Sequence, residues 1–116
     1  MSKLPAELLR PLIDECDLIL ANVQGLTKEQ FLADKVMVRA VERSVYIIGE
    51  ATRILPDDLK TQYPDVEWRA ISGTRNILAH VYWGVDLDII WDVVQHDLSL
   101  LREQAYKMLD DLHDDE

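Results

Sequence analysis

Apolar seams spaced alternately four and three residues apart constrain this chain more than any other feature. Leu9, Ile13, Cys16, Leu20 and Val23 form one; Leu87, Trp91, Val94, Leu98, Leu101, Ala105, Met108 and Leu112 form another. A helix turns by about 100° per residue, so this spacing collects side chains on one face. A half-buried strand would instead alternate with a period of two, and no stretch of any length does. Punctuation agrees with the seams. Pro5 suits a first helical turn, Gly25 a helical stop, and Thr27-Lys28-Glu29-Gln30 a capping box opening the next helix.

That second helix is expected from about Glu29 to Leu55, ending before Pro56. It carries two stripes. Val38, Val41, Val45, Ile48, Thr52 and Leu55 form one, and the smaller Met37, Ala40, Ser44, Ile47, Ala51 and Ile54 lie beside it. Two adjacent apolar stripes need two partners: the core, and either more of the same domain or a second subunit. Pro56-Asp57-Asp58 starts a short turn or single helical turn, and Tyr63-Pro64-Asp65 caps a third helix from Val66 to about Val81. Gly84 ends it, and Asp86 caps a fourth that holds the long seam. The expected fold is all-α, an up-and-down bundle of about four helices in one domain spanning 1–116, with 110–116 a frayed acidic tail.

A chain of 116 residues buries a core without disulfide or metal staples. The lone Cys16 has no internal partner and, among Ile13, Leu20 and Val23, reads as a buried structural thiol. Glu7 and Arg10 interrupt any apolar leader after Lys3, and no apolar run approaches the ~18 residues of a membrane span. The expectation is a cytoplasmic protein without a membrane role. Charge argues against an ordinary nucleic-acid binder, because 12 Lys and Arg face 22 Asp and Glu, a formal net charge of −10. A local patch drawn from Lys35, Arg39, Arg43, Arg53, Arg69 and Arg75 is the remaining route to a phosphate backbone.

The chemistry is concentrated in the third helix, where Gly73-Thr74-Arg75-Asn76-Ile77-Leu78-Ala79-His80-Val81-Tyr82-Trp83 interleaves polar and apolar groups. Arg75 offers a permanently charged planar fork that matches phosphate oxygens. His80 has an imidazole able to exchange a proton near neutral pH. In helical projection Asn76 and His80 share a face with Ser72, while Arg75 lies about 140° from His80. One helix therefore does not align the two, whereas two copies about a two-fold axis gather two Arg and two His residues around one phosphate. Gly73 would permit the close backbone approach of such a pair. Helix-end polarity favours a protonated His80 and Arg75 opposes it, which suits RNA cleavage by proton transfer without metal.

The pattern R-N-x3-H-x-Y resembles the signature of the HEPN superfamily, most closely HepT-type ribonuclease toxins. The resemblance extends through Glu29–Asp34 with Phe31, Ala40-Val41-Glu42-Arg43, Ile48-Gly49-Glu50-Ala51, Trp68-Arg69-Ala70-Ile71-Ser72-Gly73 and Val85-Asp86-Leu87-Asp88-Ile89-Ile90-Trp91, most of residues 5 to 110. It implies a dimerising all-α bundle with a composite active site at the dimer cleft, formed by Arg75, His80 and the polar Asn76. It implies a metal-independent RNase without cofactor, with RNA as substrate. It also implies a minimal nucleotidyltransferase antitoxin as partner, which transfers AMP to the motif tyrosine, here Tyr82. Tyr82 has a second reading, packing against the bundle as Trp83 would.

Glu50, in an apolar stretch beside Gly49, reads as a supporting carboxylate paired with Arg43, Arg53 or Arg75. Trp68, Trp83 and Trp91 read as core anchors, with base stacking open to Trp83. His96 falls off its seam and reads as a surface group, and His113 lies in the tail. Asp86, Asp88 and Asp92, like Asp110 and Asp111, lack His or Cys companions and make no dedicated metal site. The acidic charge keeps one alternative to the nuclease: a non-catalytic nucleotide-binding or scaffold subunit for a nucleotidyltransferase.

Overall fold

The first seam forms α1 (Pro5–Val23), with Leu9, Leu12, Ile13, Cys16 and Ile19 buried along it. The computed structural model describes residues 5–78 and 86–114. Pro11 sits inside α1, exposed to solvent, so its ring and missing N–H fall on the outer side. After α1 the chain turns through Gly25 at φ +80, a left-handed conformation that glycine tolerates, and Leu26 N–H donates to Val23 O at 3.0 Å. The capping box then forms as expected. Gln30 N–H donates to Thr27 Oγ1 at 3.1 Å, and Thr27 N–H to Gln30 Oε1 at 2.9 Å.

The second helix is two helices. α2 (Lys28–Ala33) stops at Asp34, whose extended backbone (φ −100, ψ 94) breaks the ladder before α3 (Lys35–Ile54). Asp34 closes the break from both sides. Its N–H donates to Phe31 O at 3.1 Å, and its carboxylate accepts from Met37 N–H at 3.0 Å. Every residue of the first α3 stripe, from Val38 to Leu55, is buried. The second stripe is divided: Ser44 and Ala51 are buried, Met37 and Ile47 half-buried, and Ala40 and Ile54 exposed. α3 is the central element, packed on α5 and α1 and touched by α2.

The expected short turn is α4 (Asp57–Thr61). The motif helix α5 (Trp68–Leu78) starts two residues later than its apolar pattern suggests, because Val66 is spent in the turn, where its C=O accepts from Trp68 N–H at 2.9 Å. Asp86 caps α6 (Leu87–His96), accepting from Asp88 N–H at 3.1 Å and Ile89 N–H at 3.4 Å. The fourth helix is also broken, at Asp97, and continues as α7 (Leu98–Asp114). Burial pushes the Asp97 carboxyl above its ordinary range, with the nearby charge of Glu67 adding to the effect. α7 runs through most of the acidic stretch read as frayed, and Asp111 accepts a short hydrogen bond from Tyr63 OH.

The architecture is all-α, with no strand among the described residues. The four expected long helices correspond to α1, α2 with α3, α5, and α6 with α7. One core joins them, from Leu9 and Leu12 through Ile48 and Ile71 to Leu98, Leu101 and Met108. Polar ties sit at the rim. Lys28 pairs with Asp88 at 2.6 Å, linking α2 to α6. Asp17 binds Arg102 and accepts from Tyr106 OH at 2.9 Å, linking α1 to α7. The Arg102 hydrogen bond, more than that of Tyr106, holds the Asp17 carboxyl below its ordinary range. Among the described residues no helix is long and apolar enough to cross a membrane.

Candidate active site

The motif helix is positioned by its crossing with α3, and a missing side chain makes that crossing close. A Cβ at Gly49 would lie 3.3 Å from Ile71 O, 3.3 Å from Thr74 Oγ1 and 3.5 Å from Arg75 Cβ. Thr52 and Thr74 are buried there, and each spends its hydroxyl on its own helix: Thr52 Oγ1 donates to Gly49 O at 3.0 Å and Thr74 Oγ1 to Ile71 O at 2.6 Å. Neither hydroxyl is left open at the crossing. Gly49→Val is expected to cost about 1–3 kcal/mol through overpacking, read as a lower urea midpoint. A variant that melts with the wild type would mean that the crossing has slack.

The crossing brings Arg75 against Glu50. Arg75 Nε pairs with Glu50 Oε1, and Arg53 Nη2 reaches Oε2 of the same carboxylate at 3.4 Å. Glu50 Oε1 is closed to solvent and has no other partner among the described residues. Of the three arginines expected as partners, Arg53 and Arg75 serve, while Arg43 lies over the Tyr46 ring at 5.9 Å. Two guanidiniums share one carboxylate, so the cluster keeps one positive charge in a chain of net −10. The Arg75 side chain is 37% exposed, leaving room for a further anion at its fork.

Asn76 is exposed, about 100° around α5 from Arg75, with Ser72 on its face. Gly73 has open space where a Cβ would project, and nothing among the described residues fills the position that the dimer reading gives it. His80 and Tyr82, with Trp83, lie outside the described residues. The cationic patch does not gather at one point within the chain. Arg53 and Arg75 meet at Glu50, Arg43 is on Tyr46, and Arg69 lines a separate groove with Lys60. No cluster of three or more His, Cys, Asp or Glu suited to a metal occurs among the described residues.

Sequence reading did not find the role of Gly49. The available signal was a lone glycine inside a strong helical pattern, which weakens the helix by about 1 kcal/mol and so implies a packing reason.

The all-α bundle thus sets Arg75 of α5 against Glu50 of the central helix α3, with Asn76 next in sequence. Comparison with known proteins gives the family. Residues 12–108 match the family described as Ribonuclease HepT-like, and the chain belongs to it. It is similar to a candidate RNase of Caldanaerobacter subterraneus subsp. tengcongensis, 36% identical over 92% of this chain and 96% of that one. It is 32% identical to the protein named probable ribonuclease HepT of Thermococcus cleftensis, over 93% of this chain and 98% of that protein. A Methanocaldococcus jannaschii protein, named as a gamma-glutamylcyclotransferase and candidate RNase, is 33% identical over 90% of this chain, which spans only 47% of its length. No solved structure matches the chain significantly.

Proposed function

We propose that this chain is a metal-independent endoribonuclease, the toxin of a toxin–antitoxin pair, acting as a homodimer whose cleft unites Arg75 and His80 of both subunits. The observation that supports it most is the Arg75–Glu50–Arg53 cluster, a locally positive point beside the motif in an otherwise acidic protein. Membership of the HepT-like ribonuclease family supports RNA as the substrate.

The reaction follows from the residues. The ribose 2′-hydroxyl loses a proton to His80 of one subunit and attacks the adjacent phosphorus, and the departing 5′-oxygen takes a proton from the other His80. Arg75 stabilises the charge that builds on the phosphoryl oxygens. Asn76 orients His80 or donates to the phosphate. Glu50 holds the Arg75 fork in place. The antitoxin is a minimal nucleotidyltransferase that transfers AMP to Tyr82, adding bulk and negative charge beside the cleft.

The test is cleavage of total RNA and of tRNA by metal-stripped protein in excess chelator, alongside its sedimentation. Cutting at an undiminished rate by a dimer is expected. Cutting that requires added divalent metal would overturn metal independence, and a folded protein that cuts nothing would favour the scaffold alternative.

A further inference from the structure

A second feature of α5 lies outside this chemistry. Between α4 and the first turns of α5 is a groove of about 460 Å³, lined by Asp57, Lys60, Thr61, Trp68, Arg69 and Ser72. Its charges are unevenly committed. Lys60 Nζ donates to Thr52 O at 2.9 Å and pairs with Asp57 at 3.5 Å, so both are engaged. Arg69 is exposed and has no ion-pair partner among the described residues. The half-buried Trp68 indole is fixed by donation from Nε1 to Tyr63 O at 3.0 Å. The groove thus offers a held aromatic ring and a guanidinium without an ion-pair partner, while the Thr61 and Ser72 hydroxyls donate to Asp58 O at 2.8 Å and Arg69 O at 3.4 Å.

The α5 face that lines the groove leads toward the motif. Arg69, Ser72 and Asn76 follow at i, i+3 and i+7 along one face of α5, spanning about 10 Å of helix. Gly73 lies close to that face, half-buried, and no atom of the described residues lies within 4 Å of where its Cβ would be. An extended polymer can lie along such a track.

We infer that this groove is a subsite for single-stranded RNA, taking the nucleotide next to the scissile linkage with its base against Trp68 and its phosphate on Arg69. The inference rests on the ribonuclease reading. Stacking on an aromatic ring needs an unpaired base, which excludes the duplex, whose bases are already stacked and closed off. A guanidinium with no partner supplies the phosphate contact. The track explains how a protein of net −10 holds RNA: contact is local, through one cation beside the groove and one at the cleavage site.

The test compares wild type with Arg69→Ala on two substrates: a dinucleoside monophosphate, which has no phosphate beyond the scissile one, and a longer single strand containing the same step. Arg69→Ala is expected to raise KM for the longer strand several-fold more than for the dinucleoside, with kcat retained. Equal effects on both, or none on either, would overturn the subsite. A parallel arm measures binding of a fluorescent single strand to His80→Ala protein, with and without Arg69→Ala. Removing one phosphate contact should flatten the log–log salt dependence by about 0.7, and an unchanged slope would overturn the subsite. Wild type that cuts neither substrate defeats the ribonuclease reading alone, because the binding arm still decides the groove.

Discussion

Alanine in place of Arg75 is expected to lower the turnover of RNA cleavage by about 10²–10³-fold, and alanine in place of His80 by about 10²–10⁴-fold. The two losses have different origins. In the proposed mechanism Arg75 answers charge that exists fully only in the transition state, so its removal should appear in kcat more than in KM. Its loss also takes the local charge from one positive to none, because Glu50 then has Arg53 alone. Arg75→Lys restores the charge without the planar fork, so it should recover only part of the rate. Stability should fall as well, because Glu50 Oε1 is closed to solvent and Arg75 is its partner; an acceptor left so costs about 1–3 kcal/mol. Single-turnover cleavage beside thermal melts checks both points. Cleavage by Arg75→Ala at the wild-type rate would remove Arg75 from the mechanism.

Phe31→Ala is expected to cost about 3–5 kcal/mol of folding free energy. Phe31 is fully buried and stacks on Trp91 with centroids 5.0 Å apart. It is also the one buried residue of α2, a helix of six residues, too short to be stable alone. The truncation therefore leaves a cavity, removes an aromatic contact between α2 and α6, and takes away the anchor of α2. Urea unfolding gives the measurement. A loss below about 1 kcal/mol, less than a single Ile→Val truncation can cost, would show that the α2–α6 contact is incidental.

Much of this arrangement can be read from the chain, and the unread parts share a cause. Apolar spacing shows which residues meet the core, and Val38 to Leu55, Leu98, Leu101, Ala105 and Met108 are buried accordingly. It does not register a break that keeps the register. Phe31 and Val38 are seven residues apart, two helical turns, so the seam runs smoothly across the cap at Asp34. The same holds at Asp97, where Val94, Leu98 and Leu101 keep their four-three spacing through the interruption. Asp34 did carry a signal of its own, being a preferred N-cap residue ahead of an apolar pattern. At the candidate site, Arg75 and Asn76 were legible as a motif and Glu50 as an arginine partner. The choice of Arg53 and Arg75 over Arg43 was not, because it depends on where α5 crosses α3. The groove beside Arg69 could not be read either, since it joins α4 to α5 through a turn whose path local patterns do not specify.

Cys16 has a practical consequence for probing assembly. It is wholly enclosed between helices, and burial, with the neighbouring Asp17 charge, pushes its thiol up to about 12. Thiol reagents act on the thiolate, so at neutral pH this sulfur is chemically silent in the folded protein. A cysteine introduced on an exposed helical position could then be labelled selectively, with no need to delete the native one. A spin label at such a position would test the proposed dimer through the distance between labels, while uptake of reagent by Cys16 would report unfolding. The same molecule would carry its own ruler and its own integrity gauge.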